Sequence, residues 1–367
     1  MAAVRSVLVG HVLSRPVHPD PDDRAHVRGR RVERHPESAP AEEGFQGEGG
    51  SLTVLLEAKG LSVTFDTPDG PVHAVTDVDL TIEKGTTVGL VGESGCGKST
   101  LGRAILRLLP ENARISGTVR FDGIDLSSRS PKEMRDLRGR NIAMIFQDPM
   151  TRLNPLMRIR DHFIETIQAH DPNVRPEAAV KRALKVLADV RVPADRMNMY
   201  PHELSGGMRQ RIMIALCLLF KPALLIADEP TTALDVILEA QILQLLQSIM
   251  HEYDMAVLLI THNLGLVAEF ADRVAVMYAG RIAEEGATVP LFREPYHPYT
   301  QGLLRSVIDL DTTKLYSVPG APPSLLGESV GCPFYPRCEK RMAVCEAVFP
   351  EIRLVGEDHR RVACHLY

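Results

Sequence analysis

The sequence predicts an α/β protein whose centre is a parallel sheet wound by helices. Three observations carry this expectation. Residues 87–91, Thr-Val-Gly-Leu-Val, form a short apolar run that enters a glycine-rich turn directly, and residues 100–109 beyond the turn have helical character. Two further apolar runs, 223–227 and 256–260, have the length of buried strands. Each is followed by a stretch of helical periodicity, 236–251 and 264–270 respectively.

Taken in order, residues 1–51 are rich in Arg, Pro, His, Glu and Gly and lack apolar periodicity, so burial would not repay the entropy of ordering them. They read either as a disordered extension or as sequence upstream of the true start, and both readings place them outside the fold. Order is expected from about Leu52. Val54-Leu55-Leu56 and Leu61-Ser62-Val63-Thr64-Phe65 have strand composition, and 75–82 alternates apolar with polar side chains as a half-buried strand does. Between 161 and 190 apolar residues recur at three and four, for example Ala179, Val180, Ala183, Leu184 and Leu187, which predicts a helical insertion spanning about 148–215. After Pro290 the composition turns to Pro, Tyr, Gly and Cys, so 52–290 is expected as the main domain and 291–367 as a separate C-terminal region.

A chain of 367 residues, 44% hydrophobic, can bury a sizeable core. Its net charge of −5 lacks the basic surplus with which nucleic-acid binders neutralise phosphates, so no nucleic-acid partner is expected. No run reaches the ~18 apolar residues of a membrane span. Arg5, His11 and Arg15 interrupt the start before a secretory core can form, and a cytoplasmic chain is expected. Six cysteines in that compartment argue for buried thiols or metal ligation over disulfides.

Gly92-Glu93-Ser94-Gly95-Cys96-Gly97-Lys98-Ser99, followed by Thr100, fits the phosphate-binding loop pattern and has the strand–turn–helix context that loop requires. Its glycines let backbone N–H groups wrap phosphates at a helix N-terminus, Lys98 reaches the β and γ oxygens, and the Ser99 hydroxyl ligates Mg²⁺. Leu224-Leu225-Ile226-Ala227-Asp228-Glu229 is an apolar strand ending in two carboxylates. Such a strand also occurs where a sheet merely enters a solvated loop. Beside the phosphate loop it assigns Asp228 to Mg²⁺ and Glu229 to the general base.

In Leu204-Ser205-Gly206-Gly207-Met208 a hydroxyl, free glycine N–H groups and a helix N-terminus form an anion site. With these segments in this order, the sequence resembles the ATP-binding subunits of ABC transporters, whose signature is this stretch. The resemblance implies a P-loop NTPase (RecA-like) core with an ABC β-subdomain and a helical subdomain, plus a small Cys-containing C-terminal extension. It further implies that the signature meets the γ-phosphate of ATP held by an opposing subunit. Gln147 in Ile145-Phe146-Gln147-Asp148-Pro149 matches the family's Q-loop, which the resemblance places on Mg²⁺ and the attacking water, Asp235 in Ala233-Leu234-Asp235 matches its D-loop, and His262 its switch histidine at the γ-phosphate. Asn263 stands where the family more often has Asp. Phe65 is the candidate for stacking on adenine, with a core aromatic as the alternative.

Tyr296-His297-Pro298-Tyr299-Thr300, Val318-Pro319-Gly320 and Gly331-Cys332-Pro333-Phe334 resemble the C-terminal extension of dipeptide/oligopeptide importer ATPases, and the core motifs their "D" subunit. The resemblance implies a paired ATPase, identical or distinct, two permeases, an extracytoplasmic solute-binding protein reached indirectly, and a peripheral place on the cytoplasmic face of the cell membrane. Nickel, glutathione and glycan importers share the ATPase pattern. A soluble ABC ATPase acting on nucleic acid or ribosomes is the rival, though such relatives carry a long coiled coil, zinc modules or two cassettes, none of which stands in this sequence. An inactive regulatory subunit would need a damaged Lys98, Glu229 or signature, and all are intact. Cys332, Cys338, Cys345 and Cys364 cluster in a Pro-rich segment, as a ligand set replacing a core would. Similar importers hold a [4Fe–4S] cluster there; Zn²⁺ and free thiols remain the alternatives.

Overall fold

The computed structural model describes residues 53–147, 153–231, 236–307, 316–327 and 330–367. The disordered extension expected for 1–51 and the D-loop Asp235 lie outside the described residues.

Strands β1 (Val54–Thr67) and β2 (Gly70–Glu83) form an antiparallel hairpin, and β3 (Thr87–Val91) leads into helix α1 (Lys98–Ile105). Then follow β4 (Ala113–Phe121), β5 (Ile124–Asp125), α2 (Pro131–Leu137) and β6 (Ile142–Ile145). The helices α3 (Ile159–His170), α4 (Pro176–Asp189) and α5 (Gly206–Leu218) form the insertion before β7 (Leu224–Asp228). The remaining core elements are α6 (Val236–Tyr253), β8 (Ala256–Ile260), α7 (Leu264–Phe270), β9 (Arg273–Tyr278) and β10 (Arg281–Ala287). α8 (Thr288–Arg293) crosses the expected boundary at 290, and the C-terminal region beyond it supplies α9 (Pro298–Arg305), α10 (Val344–Ala347), β11 (Ile352–Val355) and β12 (Arg360–Ala363).

Among the described residues two sheets result, one antiparallel in the order β2-β1-β4-β5 and one of eight strands in the order β11-β12-β10-β9-β3-β8-β7-β6. From β9 to β6 the larger sheet is parallel. Every residue of β3, β7 and β8 is buried, because both faces of this sheet are covered. Alternate side chains of one strand serve two cores, as the two-residue period of a strand dictates. Leu224 and Ile226 join α1 and the antiparallel sheet, while Leu225 and Ala227 join the core shared with α3, α4 and α5.

β1 is a single strand where composition suggested two. Gly60 takes a positive φ of 57° at an irregularity in the pairing and donates its N–H to Asp79 Oδ1 at 2.8 Å, so the chain crosses the interruption without leaving the sheet.

The C-terminal region is not a body apart. β12 pairs with β10, Glu284 opposite Val362 and Glu285 opposite Arg361, which carries the main sheet into the extension. The fully buried Glu284 accepts the N–H groups of Tyr296 and His297, each at 2.9 Å. Glu285 lies between Arg273 at 2.6 Å and Arg361 at 2.8 Å. Buried carboxylates so satisfied hold the docking geometry closely, since breaking such a pair leaves a buried charge uncompensated.

Candidate nucleotide site

Four neighbouring strands, β3, β8, β7 and β6, end on one edge of the parallel sheet, and each delivers part of the site there. Ligands in open α/β sheets bind at this carboxyl edge. β3 delivers the phosphate loop, β6 Gln147, β7 Asp228 and Glu229, and β8 His262.

The loop is packed against its surroundings closely enough to require glycine. A Cβ at Gly97, whose φ is 106°, would stand 2.2 Å from the carbonyl oxygen of Ala74, and one at Gly92 2.2 Å from that of Met277. The buried Lys98 ammonium donates to the carbonyls of Gly92 at 2.8 Å and Glu93 at 2.9 Å. Ser94 and Gly95 are exposed at the rim, Thr100 is half-buried on α1, and burial pushes the Cys96 thiol above its ordinary range.

The Ser99 hydroxyl donates to Asp228 Oδ1 at 2.7 Å. Asp228 is fully buried, and burial raises its carboxyl pKa, with Ser99 and Arg103 pulling the other way. Among the described residues its Oδ2 has no hydrogen-bond partner, and the nearest cation is Arg103, at 3.8 Å. An orphaned, buried carboxylate oxygen beside a serine hydroxyl is a donor set suited to a hard divalent cation.

Glu229 is held from both sides. Gln147 Nε2 donates to its Oε2 at 2.8 Å, and His262 Nδ1 lies 3.1 Å from its Oε1. Its backbone has a φ of 48°, and its N–H donates to Ile260 of β8 at 2.8 Å. A left-handed non-glycine residue at a strand end aims the side chain out of the sheet, and such conformations gather at working sites. Lys98, Ser99, Gln147, Asp228, Glu229 and His262 thus meet at one edge.

The other expected residues lie elsewhere. Ser205 caps α5, its hydroxyl accepting the Met208 N–H at 3.4 Å, with Leu204 buried just before the helix and Gly206 and Gly207 in its first turn. Gln210 of α5 donates to the carbonyl of Pro230, the residue after Glu229. Phe65 stands on β1 opposite Val72 and Ala113, half-buried against the core. Sequence reasoning missed the partners of Glu93, which come from the C-terminal region.

The four late cysteines come from the segment before a short 3₁₀ turn at Tyr335–Arg337 (Cys332), its end (Cys338), α10 (Cys345) and the residue after β12 (Cys364). Burial, together with the neighbouring thiols, pushes Cys332 up to about 11, and burial raises Cys338 and Cys364. Among the described residues, however, no group of three or more His, Cys, Asp or Glu is arranged to hold a metal ion. The expectation of a [4Fe–4S] cluster therefore gains no support from the geometry: the thiols feel one another's charge without closing into a ligand set.

Residues 75–232 match the family described as "ABC transporter", and residues 283–345 the one described as "Oligopeptide/dipeptide transporter, C-terminal region". The chain is 48% identical over 301 residues to the oligopeptide transport ATP-binding protein OppD of Salmonella typhimurium, covering 81% of this chain and 90% of that one. It is 48% identical over 321 residues to the dipeptide transport ATP-binding protein DppD of Bacillus subtilis, covering 86% and 95%. Among solved structures it resembles the ATP-binding cassette MJ0796, in a dimeric post-hydrolysis state with ADP and phosphate, at TM-score 0.57 and 29% identity over 64% of this chain and 99% of that one. With its phosphate loop, paired carboxylates and signature helix in this arrangement, the chain belongs to the ATP-binding subunits of ABC transporters, in the branch of the oligopeptide and dipeptide transport ATPases, and is an ATPase.

Proposed function

We propose that this ATPase energises the import of di- or oligopeptides. It would work as one of two ATPases bound peripherally at the cytoplasmic side of two permeases, with an extracytoplasmic binding protein delivering the solute. The names of the relatives and the match of residues 283–345 support the cargo class. The dimeric state of the MJ0796 cassette supports a paired arrangement. Among the described residues no helix is long and apolar enough to cross a membrane, and in this reading the permeases supply the membrane path.

In this reading the backbone N–H groups of the loop and the N-terminus of α1 receive the ATP phosphates, with Lys98 turning from the loop carbonyls to the β and γ oxygens. Ser99 and Asp228 would hold Mg²⁺, which when bound neutralises charge on the same oxygens. Glu229 accepts the proton of the attacking water, Gln147 and His262 fix its carboxylate, and Phe65 flanks adenine. The segment Leu204 to Met208, with Asp235, serves the site of the opposing subunit. For Cys332, Cys338, Cys345 and Cys364 the proposal rests on the donor set alone. About four irons per chain after anaerobic purification would establish a cluster. Stoichiometric zinc would make it a structural zinc module, and neither metal would leave four thiols.

The observation that carries the hydrolytic assignment is the Glu229 carboxylate fixed between Gln147 and His262. In vesicles bearing the assembled importer, Glu229→Gln should still bind MgATP while hydrolysis falls by about 10²–10⁴-fold and uptake of a labelled oligopeptide stops. A near-normal rate would remove Glu229 from the role of base. Hydrolysis in the wild type without uptake of any peptide tried would move the cargo to another solute.

A further inference from the structure

Glu93, the second residue of the phosphate loop, is held by three groups at once. Its N–H donates to the hydroxyl of Tyr299 at 2.9 Å, its carbonyl accepts from Lys98 at 2.9 Å, and its carboxylate forms a two-pronged pair with Arg337. Arg337 Nη1 reaches Oε2 at 2.7 Å and Nη2 reaches Oε1 at 2.9 Å. Tyr299 lies on α9, and Arg337 ends the 3₁₀ turn before Cys338; both belong to the C-terminal region.

The arginine is fully committed there. Its Nε donates to the carbonyl of Pro319 at 2.8 Å, its Nη2 also to Val318 at 3.1 Å, and its Nη1 also to the Tyr278 hydroxyl at 3.2 Å. With the two bonds to Glu93, every N–H of the guanidinium has an acceptor. The Arg337 side chain is 5% exposed, its guanidinium lies over the rings of Tyr278 at 5.8 Å and Phe334 at 6.0 Å, and Tyr299 packs against both of those rings. A bidentate arginine in such a setting sets the position of its carboxylate as well as its charge.

A carboxylate inside a phosphate-binding loop is an electrostatic liability, since ATP brings several negative charges to the same few residues. Left free, Glu93 would oppose that ligand in a partly desolvated site where charges are weakly screened. We propose that Arg337 is a positioning residue for ATP binding: by neutralising and fixing the Glu93 carboxylate, it makes the affinity of the phosphate loop depend on the docked C-terminal region. Tyr299 supports the same residue from the backbone side. The extension also reaches the β1–β2 hairpin, where Leu325 accepts the His73 N–H and Gly327 donates to Pro71, both at 2.8 Å. It therefore touches the site from the phosphate side and beside the hairpin that carries Phe65. The inference rests on this loop binding ATP and is independent of the cargo and of the role of Glu229.

The test is ATP affinity of the full-length chain in the presence of Mg²⁺, measured by titration for wild type, Arg337→Met, Arg337→Lys and the double variant Arg337→Met with Glu93→Gln. Arg337→Met should weaken binding about tenfold or more, because it strands a carboxylate in the loop. Arg337→Lys should fall between, keeping the charge and losing the fork. The double variant should regain most of the lost affinity. That recovery separates the proposal from mere loosening of the extension, because removing the Glu93 charge cannot restore packing lost with Arg337. Protease resistance of the C-terminal region, followed in parallel, should be equally low in the single and double methionine variants. Wild-type affinity in Arg337→Met, or a double variant that binds no tighter than Arg337→Met, would overturn the proposal. A wild-type chain that binds no ATP would instead sink the nucleotide reading on which it stands.

Discussion

His297 is 4% exposed, and its Nδ1 accepts the Tyr299 N–H at 3.0 Å, capping α9. The ring lies between α9 and the backbone of Ala363 in β12, which favours its protonated form less than burial opposes it. Burial pulls its pKa from the ordinary 6.5 down to about 4. Above the ordinary value the ring is neutral whether the region is folded or not, and there is no penalty. As pH falls from there toward 4, the unfolded chain takes up a proton that the folded one refuses, and stability is lost. The gap corresponds to at most about 3 kcal/mol. Protease resistance of the C-terminal region should therefore drop between pH 6.5 and 4, more steeply in the wild type than in His297→Asn, which can still cap the helix but does not titrate. Equal slopes for the two proteins would show that another group governs the acid response.

Elements whose boundaries were legible are those in which local chemistry and burial agree. β3, β8 and α7 run over the expected residues, the strands because all five positions of each are apolar or capable of burial, the helix because Asn263 caps it through Gly265 N–H at 3.1 Å. β4 was not legible: Arg114 to Thr118 are exposed, and Gly117 within it resembles a turn residue. It becomes a strand because Gly117 lies against the backbone of Lys59 and Gly60 in β1. β12 begins with two arginines, a poor local sign of a strand, and both are answered by carboxylates on β10 more than seventy residues away. The site divides in the same way. Its own motifs are short and contiguous, so the phosphate loop, the carboxylate pair and the signature could be read in order. The pairing of Glu93 with Arg337 spans 244 residues and leaves no local trace.

Across the whole molecule, the signature helix is tied to the chain's own site through its body, while the proposed function gives its N-terminus to another. Gln210 of α5 bonds the carbonyl of Pro230, beside Glu229, so a shift of the helical insertion would be felt at Glu229. The first turn of α5 has Ser205 at its cap, and a helix N-terminus of this kind can bind an anion through its first N–H groups. If those groups serve a phosphate bound by an opposing subunit, binding and hydrolysis must separate under mutation. Ser205→Arg should fill the anion site with a bulky side chain and remove the hydroxyl. ATP affinity of the isolated chain should stay within about threefold of wild type, because no part of its own loop is altered, while hydrolysis by the assembled importer falls by about 10²-fold. Both quantities are accessible, one by ligand titration of the single chain and the other by phosphate release from vesicles. Equal loss in the two measurements would mean that the signature completes its own site. Full hydrolytic activity from a strictly monomeric preparation would mean the same, because a monomer offers its phosphate loop no second signature.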